Sequence, residues 1–277
     1  MKAVFYNAHN EFTWQNTVLL APLQPSDSSE TVDRKLAVTA RYLDIWLMRR
    51  TVNYIRVGYS AVSYAMWGLC KDIRRASLPD LVDILTSRLA HDDVTFNGRQ
   101  SGDRSGLDDL RVNQFSRRYI YHLLARVTSY VDVQAGKPDL FAQLVDRERP
   151  NPCDIEHIYP DAFDSQSWFT NNSDFQNWRN HVAGLLLLSA DVNRSYQGKA
   201  FADKSPHYVG QNLYAASLTA GAYEHQPQFR NFIERSNLAF RPYTEFGPEQ
   251  QSERREVLRG LVEAVWSPEW LRVEAGL

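Results

Sequence analysis

Between residues 149 and 210, a chain that otherwise reads as helix changes character. Prolines, asparagines and aromatics rise there, and two short apolar runs, 153–158 and 182–189, have the length and composition of strands. Around this insert the apolar spacing is helical. Residues 31–54 carry Leu36, Leu43 and Leu47, with Ile55 just beyond, near helical spacing. A second helix opens at Ser77-Leu78-Pro79, with Pro79 in its first turn and Leu81, Ile84, Leu85 and Leu89 on one face. A third spans 113–133, with Phe115, Tyr119, Leu123, Leu124 and Val127 inward and Arg117, Arg118 and Arg126 on other faces. A last one, 252–266, aligns Val257, Leu258, Leu261, Val262, Val265 and Trp266. Residues 1–24 read as irregular or as a short helix. Residues 25–29 and 91–109 read as loops, the latter from Asn97-Gly98 and Ser101-Gly102. The expected organisation is an N-terminal segment or linker (1–30), a helical region (31–148), the mixed insert (149–212) and a C-terminal helical region packing on the rest (213–277).

Composition bounds the function. The 277 residues suffice for a real core. A net charge of −2 gives no bulk attraction to nucleic acid, so any DNA-binding surface must be a local patch or come from a partner. Cys70 and Cys153 make no disulfide framework and no Cys-x-x-Cys pair, which suits a reducing, cytoplasmic setting. Residues 1–6 lack the apolar core of a signal peptide, and the aliphatic run 185–188 is far too short to span a bilayer, so no membrane association is expected. The chain has no Gly-x-x-x-x-Gly-Lys-Ser/Thr loop for nucleotide phosphates and no closely spaced Cys/His pairs for zinc.

The insert holds the residues with chemical promise. Phosphodiester hydrolysis needs a base to activate water, a cation to hold the phosphate and stabilisation of the leaving oxygen. In Asp154-Ile155-Glu156-His157-Ile158-Tyr159-Pro160 a carboxylate directly precedes a histidine, which is a base near neutral pH, and Pro160 follows three residues later. Asp154 shares a strand face with Glu156, whereas Glu156 and His157 serve one site only if the strand ends or bends between them. Asn193 comes after the second apolar run, in a segment where Ser189 is a candidate helix cap. Carboxylates and amide carbonyls are the hard oxygen ligands that suit Mg²⁺. Strand, loop, strand, then helix with an inward asparagine is a ββα arrangement in outline.

These residues resemble the HNH (ββα-metal, His-Me finger) nuclease motif, including that of RNA-guided CRISPR effectors. The closer resemblance is to the C-terminal nuclease domain of GmrSD-type modification-dependent restriction systems. It rests on Ile155-Glu156-His157-Ile158-x-Pro160, the leucine-rich run 185–188, Asn193 and the later Phe201-x-x-Lys204…Tyr208. Phe115-Ser116-Arg117-Arg118-Tyr119 and the Arg-rich, Trp-ended helix 253–266 also look like that family, so the likeness covers most of the chain from about residue 31. The resemblance implies a mainly α fold, a helical domain with an embedded ββα-metal motif. His157 would be the general base; Glu156 and Asn193, with Asp154 in reserve, would hold one Mg²⁺, for which Mn²⁺ or Ni²⁺ could substitute. Lys204 would contact phosphate or stabilise charge, and Arg194, Arg117 and Arg118 would face DNA. It also implies a role in restricting phage DNA, including modified phage DNA, together with an NTP-using recognition domain or subunit not contained in this chain.

Two residues depart from that pattern. Where the family has Gly-Asn-Leu, with an asparagine that helps orient the base, this chain has Ala183-Gly184-Leu185; His181 and Asn180 are the nearby substitutes. The residue before the histidine is also a glutamate rather than an aspartate. These departures keep two other readings open: a catalytically impaired DNA- or protein-binding module that retains the fold, and a nuclease directed at RNA.

Overall fold

The computed structural model describes residues 1–161, 163, 168–196 and 198–277. Helices dominate it, and the described strands form two two-stranded antiparallel ribbons. The chain divides into two compact units, residues 1–109 with 266–277, and residues 110–265.

The first unit is built on α3 (Ser29–Val52), with α1 (Lys2–His9), α2 (Gln15–Val18), α4 (Tyr59–Asp72), α5 (Leu78–Ala90) and the C-terminal helix 270–275 around it. Ser28 accepts the Thr31 N–H at 3.2 Å, Glu30 lies in the first turn, and Arg49 and Arg50 complement the last. Buried side chains from Val38 to Met48 lie all round the helix, so α3 is the centre of the unit rather than an amphipathic surface helix. Ser77 caps α5, with Pro79 in its first turn. Segment 91–109 is not all loop. Val94–Thr95 (β1) pairs with Gly98–Arg99 (β2), and a 3₁₀ turn follows at Gly106–Asp109. Gly106 has φ +59°, and a Cβ there would lie 2.1 Å from the Phe96 carbonyl oxygen, which explains the residue. The last long helix stops at Val265; Trp266 belongs to the first unit, where its indole donates to Asp44 at 3.0 Å.

In the second unit, α6 (Arg117–Gln134) and α7 (Phe141–Val145) precede β3 (Cys153–His157). After β3 come α8 (Asn172–Arg179), a 3₁₀ turn at Val182–Gly184 and β4 (Leu185–Ser189). Then follow α9 (Ala190–Arg194), α10 (Phe201–Tyr208), α11 (Leu213–Ala216), α12 (Ala220–His225), α13 (Pro227–Ser236) and α14 (Pro248–Val265); the helix 270–275 of the first unit is α15 (Trp270–Ala275). Strands β3 and β4 are antiparallel, with Glu156 opposite Leu186 and His157 opposite Leu185. All four leucines of β4 are buried, because α6 and α11 cover the ribbon. Tyr121 on α6 donates to the Leu144 carbonyl at 2.6 Å and lies 3.1 Å from that of Cys153, tying β3 to the helix. Phe115 is not inward: it is 78% exposed, because Ser116 is the N-cap and helical periodicity starts only after it. Arg126 is not a solvated cation either; it is buried, with its guanidinium over the Phe141 ring.

Candidate active site

The site forms where β3 ends. His157 is the last residue of the strand, and the backbone bends only beyond it, through Ile158 and Tyr159. The ladder runs unbroken through both residues, so the strand does not bend between them: Glu156 is directed to α10 and His157 to the end of α8. Glu156 is buried against α10. Lys204 Nζ donates to Glu156 Oε1 at 2.6 Å and to the His157 carbonyl at 2.7 Å, and the Tyr208 hydroxyl donates to the same Oε1 at 3.4 Å. Lys204 and Tyr208 stand four apart on α10, hence on one face. Burial raises the Glu156 pKa and lowers that of Lys204, each shift opposed by the other's charge.

His157 is half-buried and faces the end of α8. Asn180 Nδ2 donates to Gln176 Oε1 at 3.1 Å, which turns its Oδ1 to His157 Nε2, also 3.1 Å away. With that oxygen as acceptor, the ring hydrogen sits on Nε2 and Nδ1 is left as the basic nitrogen. Burial lowers the His157 pKa to about 4, assisted by the positive charges of Arg179, Lys204 and Arg117 and opposed by the bond to Asn180. The imidazole is therefore neutral at pH 7.

Asn193 on α9 donates its Nδ2 to the Ile155 carbonyl at 3.2 Å, which places the amide beside β3 and leaves its oxygen for another partner. Asp154 is engaged by Arg147 at 3.0 Å. Arg194 is exposed at the end of α9, and Arg117 is exposed on α6 within electrostatic reach of His157. Arg118 lies over Tyr119 and bonds its hydroxyl at 3.3 Å. His181 Nδ1 accepts the Ala183 N–H, so this ring serves the turn. Gly184 sits under α14: a Cβ there would lie 3.3 Å from Gln251 Nε2, which itself donates to the Trp178 carbonyl. Trp168 and Trp178 edge a cluster around Phe169 and Phe175, where Tyr159 also packs against Phe246.

A match of the family model for the C-terminal domain of the GmrSD restriction endonucleases spans residues 102–261. The chain belongs to that family. Membership places it among restriction-endonuclease nuclease domains, and the matched segment contains every residue of the site just described. No curated protein and no solved structure matches the chain. The sequence did not single out Arg179, whose charge acts on Glu156, His157 and Lys204 together. An arginine ending a helix ordinarily reads as a dipole-complementing surface cation, so no signal marked it.

Among the described residues no three His, Cys, Asp or Glu side chains cluster as a metal site. Among the described residues the hard oxygens on or beside β3 include the carboxylates of Glu156, with Oε1 held by Lys204, and Asp154, paired with Arg147, and the amide of Asn193. Mg²⁺ usually keeps several waters and takes only one or two protein carboxylates. By donor type, Glu156 and Asn193 are ligands that such a cation takes.

Proposed function

We propose that this chain is a divalent-metal-dependent DNA endonuclease or nickase of a GmrSD-like anti-phage restriction system, with β3, β4 and α9 read as its ββα-metal finger. The observation that carries the reading is His157: a neutral imidazole, hydrogen-bonded through Nε2, beside a buried Glu156–Lys204 pair and an asparagine amide. Nδ1 takes the proton of the attacking water, and Asn180 keeps the ring in the tautomer that allows it. Arg117, Arg179 and Arg194 supply positive potential for the phosphate backbone. Glu156 and Asn193 would hold Mg²⁺, which would neutralise phosphate charge and stabilise the leaving oxygen. Lys204 fixes Glu156 and the carbonyl of His157, setting the geometry of the strand end. An NTP-using recognition domain or subunit selects the DNA, including modified phage DNA.

The second reading is a binding module with impaired catalysis. Gly184 favours it, since the base-orienting asparagine of the family is missing there, and so does the occupation of Glu156 Oε1 by Lys204. Plasmid nicking separates the two. Cleavage that requires Mg²⁺ and vanishes in His157→Ala supports the nuclease. An inert wild type under Mg²⁺, Mn²⁺ and Ni²⁺, on plain and modified DNA, sinks it; preferential cleavage of single-stranded RNA redirects it.

A further inference from the structure

The first unit carries a groove of about 690 Å³ between the 16–23 segment and α4, remote in sequence from the residues discussed above. Three of its lining residues are cations, Lys71, Arg74 and Arg75, and none is acidic. Trp67 forms one wall and is 58% exposed; Tyr64, one helical turn earlier, is 82% exposed. Their rings stack with centroids 6.0 Å apart, and Lys71 Nζ sits 5.8 Å from the Trp67 centroid. A second stacked pair, Trp14 on Tyr59 at 4.7 Å, stands at the N-terminal end of the same helix. The backbone at Arg75 is fixed in place. Arg75 has φ +54°, its N–H donates to the Ala21 carbonyl at 3.0 Å, and its carbonyl accepts Gln24 Nε2 at 2.7 Å.

Large aromatic faces left in water cost free energy, and α4 buries Val62, Met66 and Leu69 on its other side without needing them. Exposed rings next to unopposed cations are what an unpaired nucleic-acid strand engages, bases on the rings and phosphates on the cations. Duplex DNA hides its base faces and would use only the cations. A second copy of this chain would bring three cations against three. We propose that this groove binds an unpaired strand of DNA, with bases stacked on Trp67 and Tyr64 and the backbone on Lys71, Arg74 and Arg75. The site is independent of the Glu156–His157 centre and requires no cleavage.

The test uses the full chain in EDTA and the fluorescence anisotropy of a fluorescein-labelled single-stranded oligonucleotide. Trp67→Ala should weaken binding at least about fivefold, the lower end of a base–aromatic stack, whereas Trp67→Phe should retain most of it. Lys71→Ala and Arg74→Ala should each lower the salt dependence by about 0.7 in log–log slope, while Arg272→Ala, on the same unit outside the groove, should not. Circular dichroism melts should be unchanged, since all these positions are exposed. Wild-type-like affinity in Trp67→Ala and in Lys71→Ala/Arg74→Ala overturns the proposal. So does equal competition by duplex of the same sequence, or displacement by polyglutamate at equal charge, which would point to an acidic protein partner. Failure of plasmid nicking bears on the other centre alone.

Discussion

Lys204 and Glu156 form an ion pair, 2.6 Å long and almost wholly withdrawn from solvent, that joins α10 to the end of β3. A pair buried this deeply is poor evidence of added stability, because desolvation offsets most of its Coulomb energy. Removing one partner is different, because the other charge is then stranded.

Lys204→Met should therefore destabilise the second unit by about 3–5 kcal/mol, and Glu156→Gln by a similar amount. The double variant should cost much less than the sum, since it strands no charge. Urea unfolding of all four proteins measures this. Additive losses would show that the pair is not coupled as described.

His157 yields a pH prediction. Its native pKa, about 4, lies below the ordinary value of 6.5, so the unfolded chain binds the proton more readily. This group's contribution to stability is fully present above about pH 6.5 and is lost as pH falls toward 4. In the metal-free protein, the NMR signals of the His157 ring should not titrate between pH 8 and 6. Asn180→Asp, which places a carboxylate beside Nε2, should raise the midpoint and move the acid limb of kcat/KM to higher pH. A histidine with only a structural role would leave the limb unmoved.

Much of this centre was legible in the chain. Two apolar runs in a helical setting had to be strands, and 153–157 and 185–189 are paired strands. Glu156, His157, Asn193 and Lys204 could be picked out by type and order; Lys204 bonds the Glu156 carboxylate and the His157 carbonyl, and Asn193 bonds the neighbouring Ile155 carbonyl. Arg179 and Asn180 could not. They end α8, and only tertiary contacts, such as the Asn180 bond to His157 and the bridge between Arg111 and His181, place this end. Helix α4 is obscured in the sequence in the same way: Val62, Met66 and Leu69 form a stripe, but Tyr59, Tyr64 and Trp67 on the exposed faces blur it.

Gly184 stands where the resemblance implies an asparagine, and its packing can be tested. A Cβ there meets Gln251 Nε2 at 3.3 Å and Cδ at 3.5 Å, and Gln251 is fully enclosed. Gly184→Asn alone should overpack this contact and cost about 1–3 kcal/mol. Shortening the neighbour in Gly184→Asn/Gln251→Ala should recover part of that loss, although the Trp178 carbonyl gives up its donor. Thermal melts of the two variants decide it. A Gly184→Asn protein as stable as wild type would mean that Gln251 swings away and the glycine has no packing reason.

The arginines can be ranked. Arg117 is exposed and its charge reaches His157, whereas Arg118 is held on Tyr119. Arg117→Ala should lower the salt slope of duplex binding by about 0.9, one phosphate contact, and Arg118→Ala by less. Equal slopes for the two would assign Arg118 an equal share in DNA contact.

Asn193 separates metal binding from fold. Its Nδ2 bond to the Ile155 carbonyl anchors the amide, so Asn193→Ala loses both that bond and the free oxygen. Asn193→Asp keeps an oxygen and adds charge but cannot donate to Ile155. If the amide oxygen is a cation ligand, Asn193→Ala should weaken Mn²⁺ binding at least about tenfold, the lower end of what losing even an outer-shell partner costs. Asn193→Asp should retain or tighten it. Both should lose about 0.5–1.5 kcal/mol of stability through the missing hydrogen bond. Calorimetric titration of Mn²⁺ with parallel melts reads the two effects apart. Equal Mn²⁺ affinity in wild type and Asn193→Ala would leave the asparagine as a clamp on β3, and Glu156 without its proposed co-ligand.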